Sequence, residues 1–152
     1  GPNRSLALRI MKIHIITVGS PKLEYAKSGW GEYYGRLGHY HQVRISRIAD
    51  KNNDATHLLK AMANSYKVAL EITGKQFNSP ELARWLDKRA LESREVSFII
   101  GGPDGLPKEV LDEVDFKWSL SQLTLPHDLA MVVLLETLYR ASTINAGQPY
   151  HR

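Results

Sequence analysis

The sequence predicts an α/β fold with a mostly parallel sheet flanked by helices. Short β-branched runs alternate with helical patterns along the chain. The runs are apolar at most positions rather than at every second one, as in strands covered on both faces. No internal repeat, low-complexity tract or linker divides the chain, and its 152 residues suffice for one domain with a sizeable core.

The segment "KIHIITVGS" is the first strand: Ile13, Ile15, Ile16 and Val18 are β-branched, and Gly19, Ser20 and Pro21 stop the run. Leu23, Ala26, Trp30, Tyr33, Tyr34 and Leu37 then recur near helical spacing, although Gly29, Gly31 and Gly35 weaken that helix. "QVRISRIAD" is a second, less buried strand, with Arg44 and Arg47 outside its apolar set. A loop and a helix carrying Leu58, Leu59 and Met62 follow. "KVALEITGKQF" is a third strand, closed by Gly74. In "NSPELARWLDKRAL", Ser79 suits a helix N-cap and Pro80 the first helical position, where its missing N–H costs nothing. Leu82, Trp85, Leu86 and Ala90 form the buried face of that helix. "REVSFIIGG" is the fourth strand and "PKEVLDEV" a short helix. "WSLSQLTLPHDL" is a short extended segment running into a loop, and "HDLAMVVLLETLYRASTI" is the last helix. Residues 129–135 are apolar on nearly every side, which predicts burial all round, one side being covered by a second copy of the chain.

Gly1 and Pro2 look like the remnant of a removed tag and Met11 like the natural initiator, so residues 1–10 stand apart from a single domain spanning 11–152. Neither the N-terminal run nor residues 129–135 is long enough for a membrane span. The absence of cysteine excludes disulfides, thiolate nucleophiles and cysteine zinc sites, and fits the cytoplasm. A net charge of +4 is compatible with an anionic partner such as RNA. The basic residues Lys12, Lys22, Lys27, Arg36, Arg44 and Arg47 could face such a partner, a solvated face being the default reading. His39 and His41, with no carboxylate or third histidine nearby in sequence, read as surface residues rather than a metal site.

Chemistry points to three strand ends: residues 69–74 ("ALEITG"), 99–105 ("IIGGPDG") and 120–126 ("LSQLTLP"). Ligands of open parallel sheets sit beyond such ends. The spacing of Gly101, Gly102 and Gly105 fits neither the dinucleotide fingerprint nor a phosphate loop, and an ordinary turn stays open. None of the three ends supplies the cluster of cations a triphosphate asks for. An apolar cleft edged with backbone donors and acceptors suits an uncharged purine and a sugar.

Together "IIGGPDGL", "WSLSQLTLPH", "LLETLYRA" and the terminal "PYHR" resemble the ribosomal RNA large subunit methyltransferase H family, of the SPOUT class of S-adenosylmethionine-dependent methyltransferases. The resemblance runs from Met11 to Arg152. It implies a C-terminal trefoil knot around the donor site, a homodimer, and methylation at N3 of a pseudouridine in large-subunit (23S) ribosomal RNA. It implies S-adenosylmethionine as donor, with no metal, held by Leu70, Gly101, Leu120, Ser121, Gln122, Leu123, Thr124 and Leu125. Without it, Leu70 and Leu123 would read as core leucines. The candidates for catalysis are His127, Arg140, Tyr150 and His151. Helix capping or exposure competes for His127, an ion pair with Glu136 for Arg140, and a solvated tail for Tyr150, His151 and Arg152. Two alternatives are an inactive ribosome-associated RNA-binding module and a flavodoxin-like nucleotide binder, the latter disfavoured by the missing phosphate signals.

Overall fold

The structure is a computed structural model and describes residues 8–150. Its strands are β1 (Lys12–Val18), β2 (Gln42–Ile48), β3 (Tyr66–Lys75), β4 (Glu95–Ile100) and β5 (Phe116–Trp118). They form one five-stranded sheet in the order β2-β1-β4-β3-β5, and every pairing is parallel. The helices are α1 (Glu24–Gly38), α2 (Ala55–Ala61), α3 (Ser79–Glu92), α4 (Lys108–Glu113) and α5 (His127–Asn145). α5 packs against both α1 and α3, and α2 packs against α4.

Both faces of the sheet are covered, which is why its strands read as apolar runs. Side chains alternate across a strand, so neighbouring residues of β1 serve different cores. Ile13 and Ile15 join Trp30, Phe98, Trp118, Met131, Leu134 and Leu138 in the larger core. Ile16 and Val18 join Leu58, Met62, Ile99 and Val110 in the smaller one. α5 is the central helix of the larger core, burying Met131, Leu134, Leu135 and Leu138. It is not buried all round within one chain. Leu129, Val132 and Val133 stay half-buried, and Ile144 is 42% exposed.

Several local expectations change. The N-cap of α3 is Asn78, not Ser79: the Asn78 side chain accepts from Glu81 N–H at 2.9 Å and the Glu81 carboxylate accepts from Asn78 N–H at 2.8 Å, a reciprocal box. Ser79 and Pro80 therefore occupy the first turn. β5 precedes the "SLSQ" segment, which is loop. Gly74 does not close β3 but lies inside it. Leu70 and Lys75 both pair with Trp118, so residues 71–74 bulge out between them. A Cβ on Gly74 would sit 2.6 Å from the Lys117 carbonyl, so only glycine lets β3 approach β5 this closely.

His41 is the clearest correction. It is 5% exposed, not a surface residue. Its Nδ1 accepts the Met11 backbone N–H at 3.2 Å, which makes Nε2 the protonated nitrogen. Nε2–H donates to Ser142 Oγ at 3.1 Å, and Ser142 Oγ donates to the Leu138 carbonyl at 2.8 Å. The neutral ring thus ties the start of β1 to α5, and burial pushes its pKa down to about 4.

Candidate active site

The ends of β3, β4 and β5 converge on a cleft of about 630 Å³, within the roughly 300–1,000 Å³ of small-molecule sites. Three segments wall it: β3 at Leu70 with the start of its bulge at Glu71 and Ile72, the β4–α4 loop, and the β5–α5 loop ending at His127.

The β4–α4 loop turns through Pro103 and Asp104. Gly105 N–H donates to the Gly102 carbonyl at 2.9 Å, and Gly105 has a φ of +79°, a conformation that favours glycine. A Cβ on Gly101 would lie 2.7 Å from the Gly105 carbonyl carbon. Gly101 is thus required by the loop's own closure. In the β5–α5 loop, Ser119 Oγ donates to the Ser121 carbonyl and Ser121 Oγ accepts from Leu123 N–H, each at 2.9 Å. These short side chains hold the loop open without regular structure. Ser119 N–H donates to the Lys75 carbonyl at 2.9 Å, which fixes the loop's root to the far side of the bulge.

Leu70, Gly101, Leu120, Ser121, Leu123, Thr124 and Leu125 all line the cleft; Gln122 does not. Leu123 is not a core leucine, being 75% exposed. Leu70 is half-buried and packs against the larger core while also facing the cleft. The arrangement fits an uncharged purine and its sugar, since leucines offer flat apolar surface and small residues leave peptide groups within reach. Among the described residues no group of three metal-ligating side chains occurs.

His127 lines the cleft as the first residue of α5. Its neighbour Asp128 anchors the helix start. The Asp128 carboxylate accepts backbone N–H from Leu23 at 2.7 Å and Lys22 at 2.9 Å. These bonds, Leu23's first, hold its pKa below the ordinary carboxylate range.

Arg140 and Tyr150 do not line the cleft of their own chain. The Arg140 guanidinium lies 3.7 Å over the Tyr150 ring and 3.4 Å from the Glu136 carboxylate. The Tyr150 hydroxyl donates to Glu136 at 3.3 Å, and its ring meets Tyr139 at 5.7 Å. Burial, with the Tyr33 hydroxyl and Glu136 beside it, pushes the Tyr150 phenol up to about 12. The tail is therefore docked on α5 as far as Tyr150; His151 and Arg152 lie outside the described residues.

Glu71, Ile72, Trp118 and Ala130 also line the cleft, and none of them is a candidate site residue from the sequence. The bulge that delivers Glu71 depends on pairing between β3 and β5, which no local pattern announces.

The family model described as a predicted SPOUT methyltransferase matches residues 11–151. The ribosomal RNA large subunit methyltransferase H of Deinococcus radiodurans is 52% identical over 145 residues, covering 93% of this chain and 99% of that protein. The protein of the same name from Pseudomonas fluorescens is 39% identical over 155 residues, covering 93% of this chain and 100% of its own length. Among solved structures, a probable methylase family protein from Haemophilus influenzae superposes with a TM-score of 0.57 at 12% identity, covering 92% of this chain and 70% of that one, a likeness of fold. With the model and these relatives both spanning nearly its whole length, the chain belongs to the SPOUT methyltransferase family, among the ribosomal RNA large subunit methyltransferase H proteins.

Proposed function

We propose that the protein transfers a methyl group from S-adenosylmethionine, bound in this cleft, to N3 of a pseudouridine in large-subunit ribosomal RNA, working as a homodimer in the cytoplasm. The observation that carries the reading is the convergence of Leu70, Gly101, Leu120, Ser121, Leu123, Thr124 and Leu125 on one cleft at the carboxyl ends of parallel strands. The domain spans residues 11–152, with residues 1–10 as an extension. The family resemblance supports a trefoil knot formed around the β4–α4 and β5–α5 loops.

Bound S-adenosylmethionine supplies an electrophilic methyl on a sulfonium that is its own leaving group, so the chain need only align, desolvate and handle a proton. The glycine turn and the leucines position the adenosine. His127, at the cleft's edge, accepts the N3 proton. Arg140, Tyr150 and His151 act on the RNA. On α5, Leu129, Val133, Glu136, Arg140 and Ile144 share one stripe at helical spacing, and it is incompletely covered. A second copy covers this stripe across a two-fold axis and brings the tail to its partner's cleft. There Tyr150 stacks on the target base and the cationic groups stabilise the developing anion.

The test is mass spectrometry of ribosomal RNA from cells with and without the gene. Loss of a methylpseudouridine is expected; an unchanged modification map refutes the activity. An inactive RNA-binding module need not bind S-adenosylmethionine, so isothermal titration with the donor separates the two readings.

A further inference from the structure

Among the described residues that line the cleft there is one carboxylate, Glu71, and no lysine or arginine. Its position is built rather than incidental. Gly74 lets the bulge of residues 71–74 close against β5, where a Cβ would meet the Lys117 backbone at 2.6 Å. Glu71 Oε2 accepts both the backbone N–H and the hydroxyl of Thr73, each at 2.8 Å. The carboxylate is thus held by one oxygen, and Oε1 has no partner among the described residues.

We propose that Glu71 makes the cleft discriminate between the methyl donor and its spent product by charge. The inference rests on reading this cleft as the donor site. In the transfer, N3 forms a bond to the methyl carbon, the carbon–sulfur electron pair stays on sulfur, and the N3 proton leaves to a base. The ligand changes from a sulfonium cation to a neutral thioether of nearly the same shape. Leucines and glycines cannot sense that difference. A fixed carboxylate with no lysine or arginine of its own chain among the described lining residues can, because it attracts the cation and is indifferent to the thioether. S-adenosylmethionine is favoured on entry and S-adenosylhomocysteine is released.

Isothermal titration of the purified protein with each compound tests this. The wild type should favour S-adenosylmethionine by about tenfold, as expected for one charge pair several ångströms apart in a partly exposed cleft, and the preference should shrink at high salt. Glu71→Gln keeps the shape and an oxygen for Thr73 but removes the charge. Its preference should fall to near unity, through weaker S-adenosylmethionine binding with S-adenosylhomocysteine affinity held. Glu71→Asp should keep most of the preference. Equal weakening of both ligands by Glu71→Gln would reduce Glu71 to a turn-former and overturn the proposal, as would an unchanged ratio or loss of preference in Glu71→Asp. Binding of neither ligand by the wild type would overturn the donor-site reading itself.

Discussion

Acid should unlock the His41 tie between β1 and α5. Protonating Nδ1 removes the acceptor for Met11 N–H, in a site where the ring is 5% exposed. Burial holds the folded-state pKa at about 4, against about 6.5 in the unfolded chain. The folded state therefore resists a proton that the unfolded state accepts. Its stabilising effect is complete above the unfolded pKa and is lost as pH falls from about 6.5 to about 4. Integrating between those values, the loss is about 2 kcal/mol at pH 5 and about 3 kcal/mol at pH 4. His14, whose pKa burial also lowers, loses stability in the same direction, so the assay compares variants. Urea unfolding across this pH range should show a steep slope for the wild type and a shallower one for His41→Gln, which cannot titrate. Parallel slopes would refute the assignment of His41 as a buried neutral ring.

Gly101→Val should cost about 1–3 kcal/mol of stability, because its Cβ would meet the Gly105 backbone. It should also weaken S-adenosylmethionine binding at least about tenfold in titration; unchanged affinity in a folded variant refutes the assignment of this loop. Asp128→Ala leaves the N–H groups of Lys22 and Leu23 without their acceptor. It should lower stability by about 2–3 kcal/mol in denaturant, and a change below half of that would mean solvent replaces the carboxylate. Deleting residues 150–152 removes the Tyr150 ring from Arg140 and Tyr139, worth about 0.5–1 kcal/mol. The fold and donor binding should survive while single-turnover methylation nearly stops; full activity refutes a catalytic tail.

The sequence by itself determined the elements and the stretches that wall the cleft. Ile13, Ile15, Ile16 and Val18 form a strand because β-branched residues favour extended backbone, and their unbroken run marks a sheet covered on both sides. Gly101, Gly102 and Gly105 marked a loop because turn chemistry is local. What only the tertiary structure decided depends on partners far along the chain. The order β2-β1-β4-β3-β5 sets the ends of β3 and β5 side by side, and only then does a bulge turn Glu71 into the cleft. His41 meets Ser142 across 101 residues, and Asp128 meets Leu23 across 105. Arg140 and Tyr150, near His127 in sequence, instead pack together on α5 away from their own chain's cleft. Dihedral preference and hydrophobic period act over a few residues. Register, burial and hydrogen-bond pairing are settled when the whole sheet closes, so residues with similar local surroundings ended in a core, in a cleft or on a surface.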